Sequence, residues 1–433
     1  MKVCVQGLWH LGSVTAACLA SVGHDVTGLD ADPKTIDGLN QGKAPLFEPG
    51  LDDLLQAGIA KGQLRFTTSI EAAADAEVLW VAFDTPVDDE DQADVEFVMK
   101  EIKQVLPVLA AGAVVLVSSQ MPVGSIGKLE EFARENLGDK QLGFACSPEN
   151  LRLGKALDVF LNPDRIVVGV RNDSARKKLE QLLMPITDRV EWMAVESAEM
   201  TKHAINAFLA ISVTFANEIA AICELVGADA KEVERGLKTE QRIGPKAYLA
   251  PGGPFAGGTL ARDIAFLGEA GCAKQLTTPL LSSVRTSNDE HKNWVRRRLL
   301  KEFGDLRGVT VAVWGLTYKP GTDTLRRSLA VELCDWLIAQ GAVVHVYDPA
   351  VRELPERWLG KVTRYETGLD AVSGAQSLVV GTEWPEFRQE AEALGDMAGS
   401  GPVVIDANRH LRSQVAPLGL KYIAVGTPAS GGN

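Results

Sequence analysis

The amino-acid sequence predicts an α/β fold with two doubly wound, parallel-sheet domains joined by a long central helix. Strand patterns alternate with helical patterns in both halves of the chain, and one long apolar helical pattern separates them. A chain of 433 residues is too long for one ordinary core, which favours two or three domains. We predict domains at residues 1–195, 196–295 and 296–433.

Composition and charge are those of an ordinary soluble protein, with 46% hydrophobic and 23% charged residues. The net charge of -13 disfavours nucleic acid or an anionic membrane as a partner, so an anionic ligand requires a local cluster of Arg and Lys. No continuous apolar run approaches the roughly 18 residues of a membrane span, and the N-terminus lacks the layout of a secretory signal. We expect a cytoplasmic protein with no nucleic-acid and no membrane partner.

The cysteines and histidines show no metal-binding pattern. The six histidines lack H-x-x-x-H and H-E-x-x-H spacing, and the six cysteines lack C-x-x-C spacing. Most cysteines lie in apolar strand or helix patterns, so we expect reduced, mostly buried thiols. They are Cys4, Cys18, Cys146, Cys223, Cys272 and Cys334.

The first strand–turn–helix–strand pattern predicts a Rossmann-like dinucleotide site. A strand at residues 2–6 leads into a glycine turn, then an Ala-rich helix, then a second strand at residues 25–29. Gly7 makes the tight turn, and Gly12 lets the helix approach with its N-terminus facing a pyrophosphate. Asp30 ends the second strand, where a carboxylate can hold a ribose 2′-hydroxyl but repels a 2′-phosphate. The pattern therefore predicts NAD rather than NADP.

Trp9 stands where this fingerprint usually has its second glycine. A side chain at that position would lie against the pyrophosphate, so the turn alone is a weak signal and a purely structural turn is the alternative. The surrounding strands and helix strengthen the prediction. For NAD to bind, we expect the Trp9 side chain to turn away from the pyrophosphate.

Further strands of the first domain precede polar turns. With helices between them, these strands predict a parallel sheet covered on both faces. Ligands bind at the carboxyl ends of strands in open α/β sheets, so each turn is a candidate site, although ordinary turn chemistry is the favoured explanation of any single turn. The strands lie at residues 78–83, 114–118, 142–146 and 165–170, and the turns are Asp84-Thr85-Pro86, residues 118–124 and Ser147-Pro148-Glu149.

The chain is organised around a central helix, predicted at residues 197–227 with Ser197 as N-cap and Gly227 as stop. Its residues are apolar on several faces, so we expect a helix buried nearly all round. Lys202 and Asn206 break this pattern and share one face because they are four residues apart. A buried lysine must be paired, neutralised or functional; a lysine that reaches solvent from the first turn is the alternative.

A second, smaller Rossmann-like domain follows a Gly- and Pro-rich run and a helix that resumes near Leu260. Its strand patterns alternate with helical ones, as in the first domain. They lie at residues 309–314, 343–347, 378–381 and 403–406, with a helix at 329–340 and Asp348 after the second strand.

Spaced motifs run along essentially the whole chain, and together they resemble the UDP-glucose/GDP-mannose dehydrogenase family. Members of this family oxidise the C6 alcohol of a nucleotide sugar to a carboxylate. The motifs are Leu39-Asn40, Glu48-Pro49-Gly50-Leu51, Thr85-Pro86, Ser147-Pro148-Glu149, Lys202 with Asn206, Gln241-Arg242-Ile243-Gly244, Arg262-Asp263, Tyr318-Lys319 with Thr322, Arg326 and Ser328, and Thr382-Glu383-Trp384-Pro385-Glu386-Phe387.

The resemblance implies two Rossmann-like domains and a central helix that also forms a homodimer interface. It implies that NAD contacts Gly7, Leu11, Gly12, Asp30, Lys34, Thr85, Ser119, Arg262 and Arg326. It implies that the nucleotide sugar contacts Arg242, Tyr248, Tyr318 and Lys319. Arg242 is a candidate to act across the dimer interface. The resemblance also implies that the C6 atom is surrounded by Glu149, Lys202, Asn206 and Asp263. Such groups can order a water as proton acceptor and stabilise oxyanion charge.

The sequence departs from the family pattern at several functional positions. Thr259 occupies the place of the catalytic cysteine, four residues before Asp263, and Arg262 replaces a lysine. Leu153 and Thr324 stand where acidic residues are usual. The threonine makes the full four-electron oxidation to the uronate doubtful.

Three hypotheses remain open at this point. An NAD-dependent nucleotide-sugar dehydrogenase, acting on a UDP-hexose by family frequency, is favoured because Glu149, Lys202, Asn206 and Asp263 are all present. A non-catalytic nucleotide-sugar-binding or regulatory homologue is the alternative that Trp9 favours, together with the lost cysteine. A generic 2-hydroxy-acid dehydrogenase is disfavoured by the second Rossmann-like domain.

Overall fold

The computed structural model describes residues 1–86, 93–138, 140–149, 151–396 and 401–428. The chain divides into two compact units, Met1–Ile205 and Asn206–Asn433, and each is built on its own sheet with helices on the faces. The predicted fold class is confirmed: both sheets have the Rossmann-like arrangement, and one long helix contains the boundary between the units.

The sheet of the first unit has eight strands among the described residues. They are β1 (Lys2–Gln6), β2 (Asp25–Leu29), β3 (Leu64–Thr67), β4 (Val78–Val81), β5 (Val114–Val117), β6 (Gly143–Cys146), β7 (Ile166–Val170) and β8 (Val190–Met193). Their order is β3-β2-β1-β4-β5-β6-β7-β8. β4 and β5 are buried and apolar along their whole length, as strands covered on both faces must be. The sequence patterns located six of these strands and missed β3 and β8.

One pair in this sheet differs from the predicted parallel arrangement. β6 and β7 are antiparallel, with Ala145 opposite Val170 and Cys146 opposite Gly169, whereas the other pairs are parallel. An antiparallel strand starts at the end where the preceding strand stops, so the segment that connects β6 to β7 stays at the carboxyl end of β6. This segment carries Glu149.

The helices of the first unit enclose two cores, one on each face of the sheet. α1, α3, α6 and α7 pack on one face, and α4 and α5 pack on the other. The helices are α1 (His10–Ser21), α2 (Pro33–Asn40), α3 (Leu51–Ala60), α4 (Val95–Val105), α5 (Ser125–Asn136), α6 (Ala156–Leu161) and α7 (Asp173–Leu183).

The long helix α8 (Val195–Val226) begins two residues before the predicted start, so Ser197 lies inside its first turn and is not the N-cap. The predicted stop is confirmed. Gly227 has φ +79, and the N–H of Ala228 donates to the carbonyl of Cys223 at 3.1 Å. This is the Schellman arrangement, which satisfies a carbonyl at the helix end.

The expectation that α8 is buried nearly all round is wrong for the single chain. Phe208, Phe215 and Ile222 are 66%, 45% and 54% exposed, and their seven-residue spacing puts them on one face. The sequence pattern could not separate a face that packs within the chain from one that does not, because both are apolar.

α8 is also the one helix of the described residues that is long and apolar enough to cross a membrane, by length and composition alone. The expectation of no membrane span rested on continuous apolar runs and did not identify this helix as a candidate. Core helices of soluble proteins meet the same criterion. Within the second unit, Asn217 accepts from Gly252 N–H at 3.0 Å and Glu224 accepts from the Trp294 indole at 2.9 Å, as polar groups of a core helix do.

The described part of the second unit contains a six-stranded parallel sheet in the order β11-β10-β9-β12-β13-β14. Its strands are β9 (Thr310–Trp314), β10 (Val343–Tyr347), β11 (Val362–Arg364), β12 (Ser377–Val380), β13 (Val403–Ile405) and β14 (Tyr422–Ile423). Its helices are α9 (Ala230–Thr239), α10 (Thr259–Ala273), α11 (Pro279–Lys292), α12 (Trp294–Phe303), α13 (Leu329–Ala339), α14 (Gly368–Val372), α15 (Phe387–Glu392) and α16 (Arg412–Val415). β10 has its predicted bounds; β11 and β14 were missed.

Candidate active site

The turn between β1 and α1 depends on its two predicted glycines. Gly7 has φ +87, and a Cβ on Gly12 would lie 1.6 Å from the Gly7 carbonyl oxygen. Gly12 is therefore needed for the close approach of helix and turn. Asp30 holds the same turn from the end of β2, since its carboxylate accepts from Leu8 N–H at 2.7 Å and from Asp32 N–H at 2.9 Å.

Trp9, in place of the second glycine, lies at the surface with half of its side chain exposed. Its φ is -70 and its ψ is -141, a combination that lies outside the α and β regions, so the backbone at this position is unusual for an L-residue.

Other predicted cofactor residues of the first unit lie at the carboxyl ends of β4 and β5 and at the start of α2. The Thr85 hydroxyl donates to the Gln120 carbonyl at 2.8 Å, which joins the turns after β4 and β5. The Ser119 hydroxyl is buried and has no hydrogen-bond partner among the described residues. A buried hydroxyl of this kind fits a polar ligand. Lys34 is exposed in the first turn of α2.

Lys202 lies in the second turn of α8 with its amine 3.4 Å from a Glu149 carboxylate oxygen. The two side chains are 14% and 26% exposed, so the pair is shielded but open to small molecules. They line a small cavity with Ser119 and Pro148. Of the alternatives left open for this lysine, the structure shows one that is paired.

The same cavity contains two polar residues that the sequence analysis did not single out as functional. Glu199 is buried and accepts from Gly124 N–H at 2.7 Å and from Ile126 N–H at 3.0 Å. His203 contacts the Met121 carbonyl through Nε2 at 3.0 Å. Both hold α8 against the turn after β5 and thereby position Lys202. The one sequence signal for these two residues is their closeness to Lys202: Glu199 lies three residues before it and His203 one residue after it.

Cys146 also lines this cavity but is not suited to act as a nucleophile. Burial raises the pKa of its thiol well above the usual range, and the nearby Glu199 carboxylate adds to that rise. A thiol in such surroundings stays protonated.

In the second unit, Asn206 and Asp263 are in direct contact: the Asn206 amide donates to a carboxylate oxygen of Asp263. Both are buried, and Asp263 has no exposed surface. Thr259 is the first residue of α10 and is exposed. Arg262 is half-buried beside Asp263 in the same helix.

A cavity of about 400 Å³ lies at the carboxyl ends of β9 and β12 in the second unit. The predicted substrate residues Tyr318 and Lys319 line it. The cavity reaches the start of α10: a Cβ on Gly258 would lie 3.8 Å from Arg327 Nη1 and 4.0 Å from the Tyr318 hydroxyl. Its charged lining side chains are Lys292, Arg296, Lys319, Arg327, Glu332 and Glu383, an excess of cations in an acidic chain.

Three predicted residues lie apart from these cavities. Tyr248 is 60% exposed, and the Arg242 side chain extends into solvent with Nε 2.9 Å from Glu240. Arg326 is exposed, and none of the three lines either cavity. No group of His, Cys, Asp and Glu suited to a metal occurs in the described part of the chain.

The second unit repeats the acid-to-turn contact of the first. Asp348 follows β10 and accepts from Leu316 N–H at 2.7 Å and from Thr317 N–H at 3.2 Å. It also accepts from the Trp384 indole at 3.1 Å and from the backbone N–H groups of Ala350 and Val351. Asp348 is 2% exposed, whereas Asp30 is half-buried.

Models of the UDP-glucose/GDP-mannose dehydrogenase family match three consecutive parts of the chain. The NAD binding domain matches residues 1–187, the central domain residues 196–290, and the UDP binding domain residues 312–413.

Similar proteins span the full length of the chain. A UDP-glucose 6-dehydrogenase of Pseudomonas aeruginosa is 34% identical, with 100% of this chain and 98% of that protein covered. Among solved structures, a UDP-glucose dehydrogenase of Pyrobaculum islandicum superposes with a TM-score of 0.84 at 29% identity, covering 99% and 98%. A UDP-D-ManNAc dehydrogenase of Pyrococcus horikoshii gives 0.83 at 25%, covering 99% of each chain.

Proposed function

The chain belongs to the UDP-glucose/GDP-mannose dehydrogenase family and is an NAD-dependent nucleotide-sugar dehydrogenase; on that premise, we propose that it oxidises the C6 alcohol of a UDP-hexose. The match to a UDP binding domain supports uridine as the base. The cationic lining of the 400 Å³ cavity supports binding of a diphosphate there, because Lys319 and Arg327 offer charge to it.

The observation that carries the proposal is the Lys202–Glu149 pair on a helix that presents Asn206 to Asp263 one turn later. NAD, when bound, would supply the hydride acceptor for C6. Lys202 and Asn206 stabilise negative charge on the C6 oxygen as its proton leaves, since an ammonium and an amide N–H both interact favourably with an alkoxide. Asp263 serves as the proton acceptor through water.

Residues of the first unit hold the cofactor in this proposal. Asp30 binds the adenosine ribose, Leu11 and Gly12 belong to the helix start that faces the pyrophosphate, and Thr85 and Ser119 line the strand ends. We assign Arg262 and Arg326 to the cofactor, and Arg242 and Tyr248 to the substrate, on the family resemblance.

A ligand panel tests the proposal. We expect a UDP-hexose to raise the melting temperature more than GDP-, TDP- or ADP-sugars do, and to give NADH absorbance when NAD is added. Stabilisation by a UDP-sugar without NADH formation would instead identify a binding or regulatory homologue. Absence of any shift would contradict the assigned base.

We further propose that the chain forms a homodimer through α8, with a second copy covering Phe208, Phe215 and Ile222. The seven-residue repeat of exposed apolar side chains supports this, because such a stripe pairs well with another helix. The internal contacts of Asn217 and Glu224 support a core and interface helix rather than a membrane span.

Free cysteines, five of six buried, support a reducing, cytoplasmic location.

Phe215→Glu should convert the dimer to a monomer, because a carboxylate in an apolar helix interface loses hydration without gaining a partner. Leu359→Glu, at an 88% exposed leucine outside α8, is the control that keeps the dimer. Sedimentation velocity distinguishes the 46.4 kDa chain from a particle of twice that mass. A wild-type monomer, or a dimer unaffected by Phe215→Glu, would contradict the proposed interface.

A further inference from the structure

The N-terminus of α1 is capped by a side chain from a distant part of the first unit. The N-cap residue Trp9 makes no side-chain cap contact, and the first-turn N–H groups of a helix lack partners within it. The N–H of Leu11 donates to Asp84 Oδ2 at 3.2 Å. Asp84 follows β4, so a carboxylate after the neighbouring strand caps the N-terminus of α1, which the Trp9 side chain does not do.

This position is also where the fold binds the cofactor pyrophosphate. In Rossmann-like domains the pyrophosphate lies against the glycine turn and the N-terminus of the first helix. Residues 1–187 match an NAD binding domain, and Gly7, Gly12 and Asp30 have the geometry that this domain requires. The Asp84 carboxylate and the pyrophosphate are both anions that compete for one set of N–H donors.

The charged groups around Asp84 do not neutralise it fully. Loss of hydration raises the pKa of Asp84 above its ordinary value, and the Glu149 carboxylate adds to the rise. The Leu11 N–H and the His10 side chain and backbone oppose it. His10 is itself paired with Glu48 at 2.9 Å, and Glu149 with Lys202 at 3.4 Å. Both groups near Asp84 are thus partly compensated by others.

We propose that the Asp84 carboxylate is an internal competitor for the NAD pyrophosphate at the N-terminus of α1, so that NAD binds after this carboxylate has been protonated or turned away. Asp84 therefore sets the affinity for NAD. The Asp84 carboxylate lowers the affinity for NAD, whereas the Asp30 carboxylate raises it.

Asp84→Asn separates charge from shape, because the amide oxygen can still accept from Leu11 while the negative charge is gone. By calorimetric titration at pH 8, we expect NAD to bind about 10-fold more tightly to this variant. ADP-ribose carries the same pyrophosphate without nicotinamide, so its affinity for the variant should rise by the same factor. Asp173→Asn, at an exposed residue in the first turn of α7, removes one charge elsewhere and should leave both affinities unchanged.

The pH dependence gives a second measurement. As the pH falls from 8 towards the raised pKa of Asp84, the carboxylate takes up a proton and wild-type affinity for NAD should rise. The variant-to-wild-type affinity ratio should shrink over the same range. Histidines away from Asp84 carry the same charge in both proteins and cancel in the ratio.

Asp84→Ala provides the second variant and removes the side chain altogether. We expect tighter NAD binding here too, with a lower melting temperature because the cap is lost. Unchanged or weaker binding of NAD to both folded variants would overturn the proposal and leave Asp84 as a structural cap. Catalytic turnover does not enter this test, so its outcome is independent of which sugar is oxidised.

Discussion

Lys202→Ala should abolish nucleotide-sugar oxidation and leave the folded protein nearly intact. The ammonium lies beside Glu149 and, in the proposed mechanism, supplies positive charge where the C6 oxygen becomes negative, so its loss should lower kcat by at least about 10³-fold. Glu149 retains access to solvent, which limits the loss of stability to about 1 kcal/mol. Steady-state kinetics and thermal unfolding measure the two effects separately.

Two further variants distinguish a catalytic from a structural lysine. Lys202→Met keeps the length of the side chain and removes its charge, so it should be as inactive as Lys202→Ala. Lys177→Ala, at an exposed position of α7, should retain activity. A fall of many degrees in melting temperature for both Lys202 variants would show that the lysine holds the structure together instead.

Thr259→Cys should convert an enzyme that stops at the aldehyde into one that reaches the acid. A first hydride transfer needs only a base, but the second requires a tetrahedral adduct, which a thiolate forms readily and a threonine hydroxyl does not. Thr259 is exposed at the first position of α10, where the helix N-terminus would lower the pKa of an introduced thiol. The buried Cys146 does not substitute for it.

The stoichiometry of NADH provides the measurement. The unmodified protein should give about one NADH per sugar in early turnover, with aldehyde that hydroxylamine traps, and Thr259→Cys should approach about two. Thr259→Ser is the matched control and should behave like the parent. Two NADH per sugar from the unmodified protein, with no aldehyde released, would contradict this account.

The sequence predicted those parts of the site that depend on local constraints. Gly7, Gly12 and Asp30 were predictable because the tight turn, the close helix and the strand-end acid follow one another at fixed spacing. Lys202 could be singled out because a cation in an apolar helix requires a partner, although the 3.4 Å contact with Glu149 needed the fold. The parallel sheet followed from strand–helix alternation.

Other features depend on contacts that no local pattern records. Asp84 contacts Leu11 across 73 positions in sequence, and in its Asp-Thr-Pro turn it resembles an ordinary turn residue. The exposed face of α8 was missed because an apolar stripe has the same composition in a core and at a surface. β3 was missed because four alternating residues are too few for a clear period.

Asp30 and Asp348 hold corresponding positions in the two units but differ in the hydrogen-bonding capacity that each keeps. A carboxylate has about four lone-pair sites for incoming donors. The chain itself fills two on Asp30 but directs five donors at Asp348, including the Trp384 indole. Asp30 keeps acceptor capacity for the hydroxyls of a ribose, whereas that of Asp348 is exhausted. The acid after the second strand of each sheet is thus still open to a ligand in the first unit, whereas in the second unit its acceptor capacity is used within the chain.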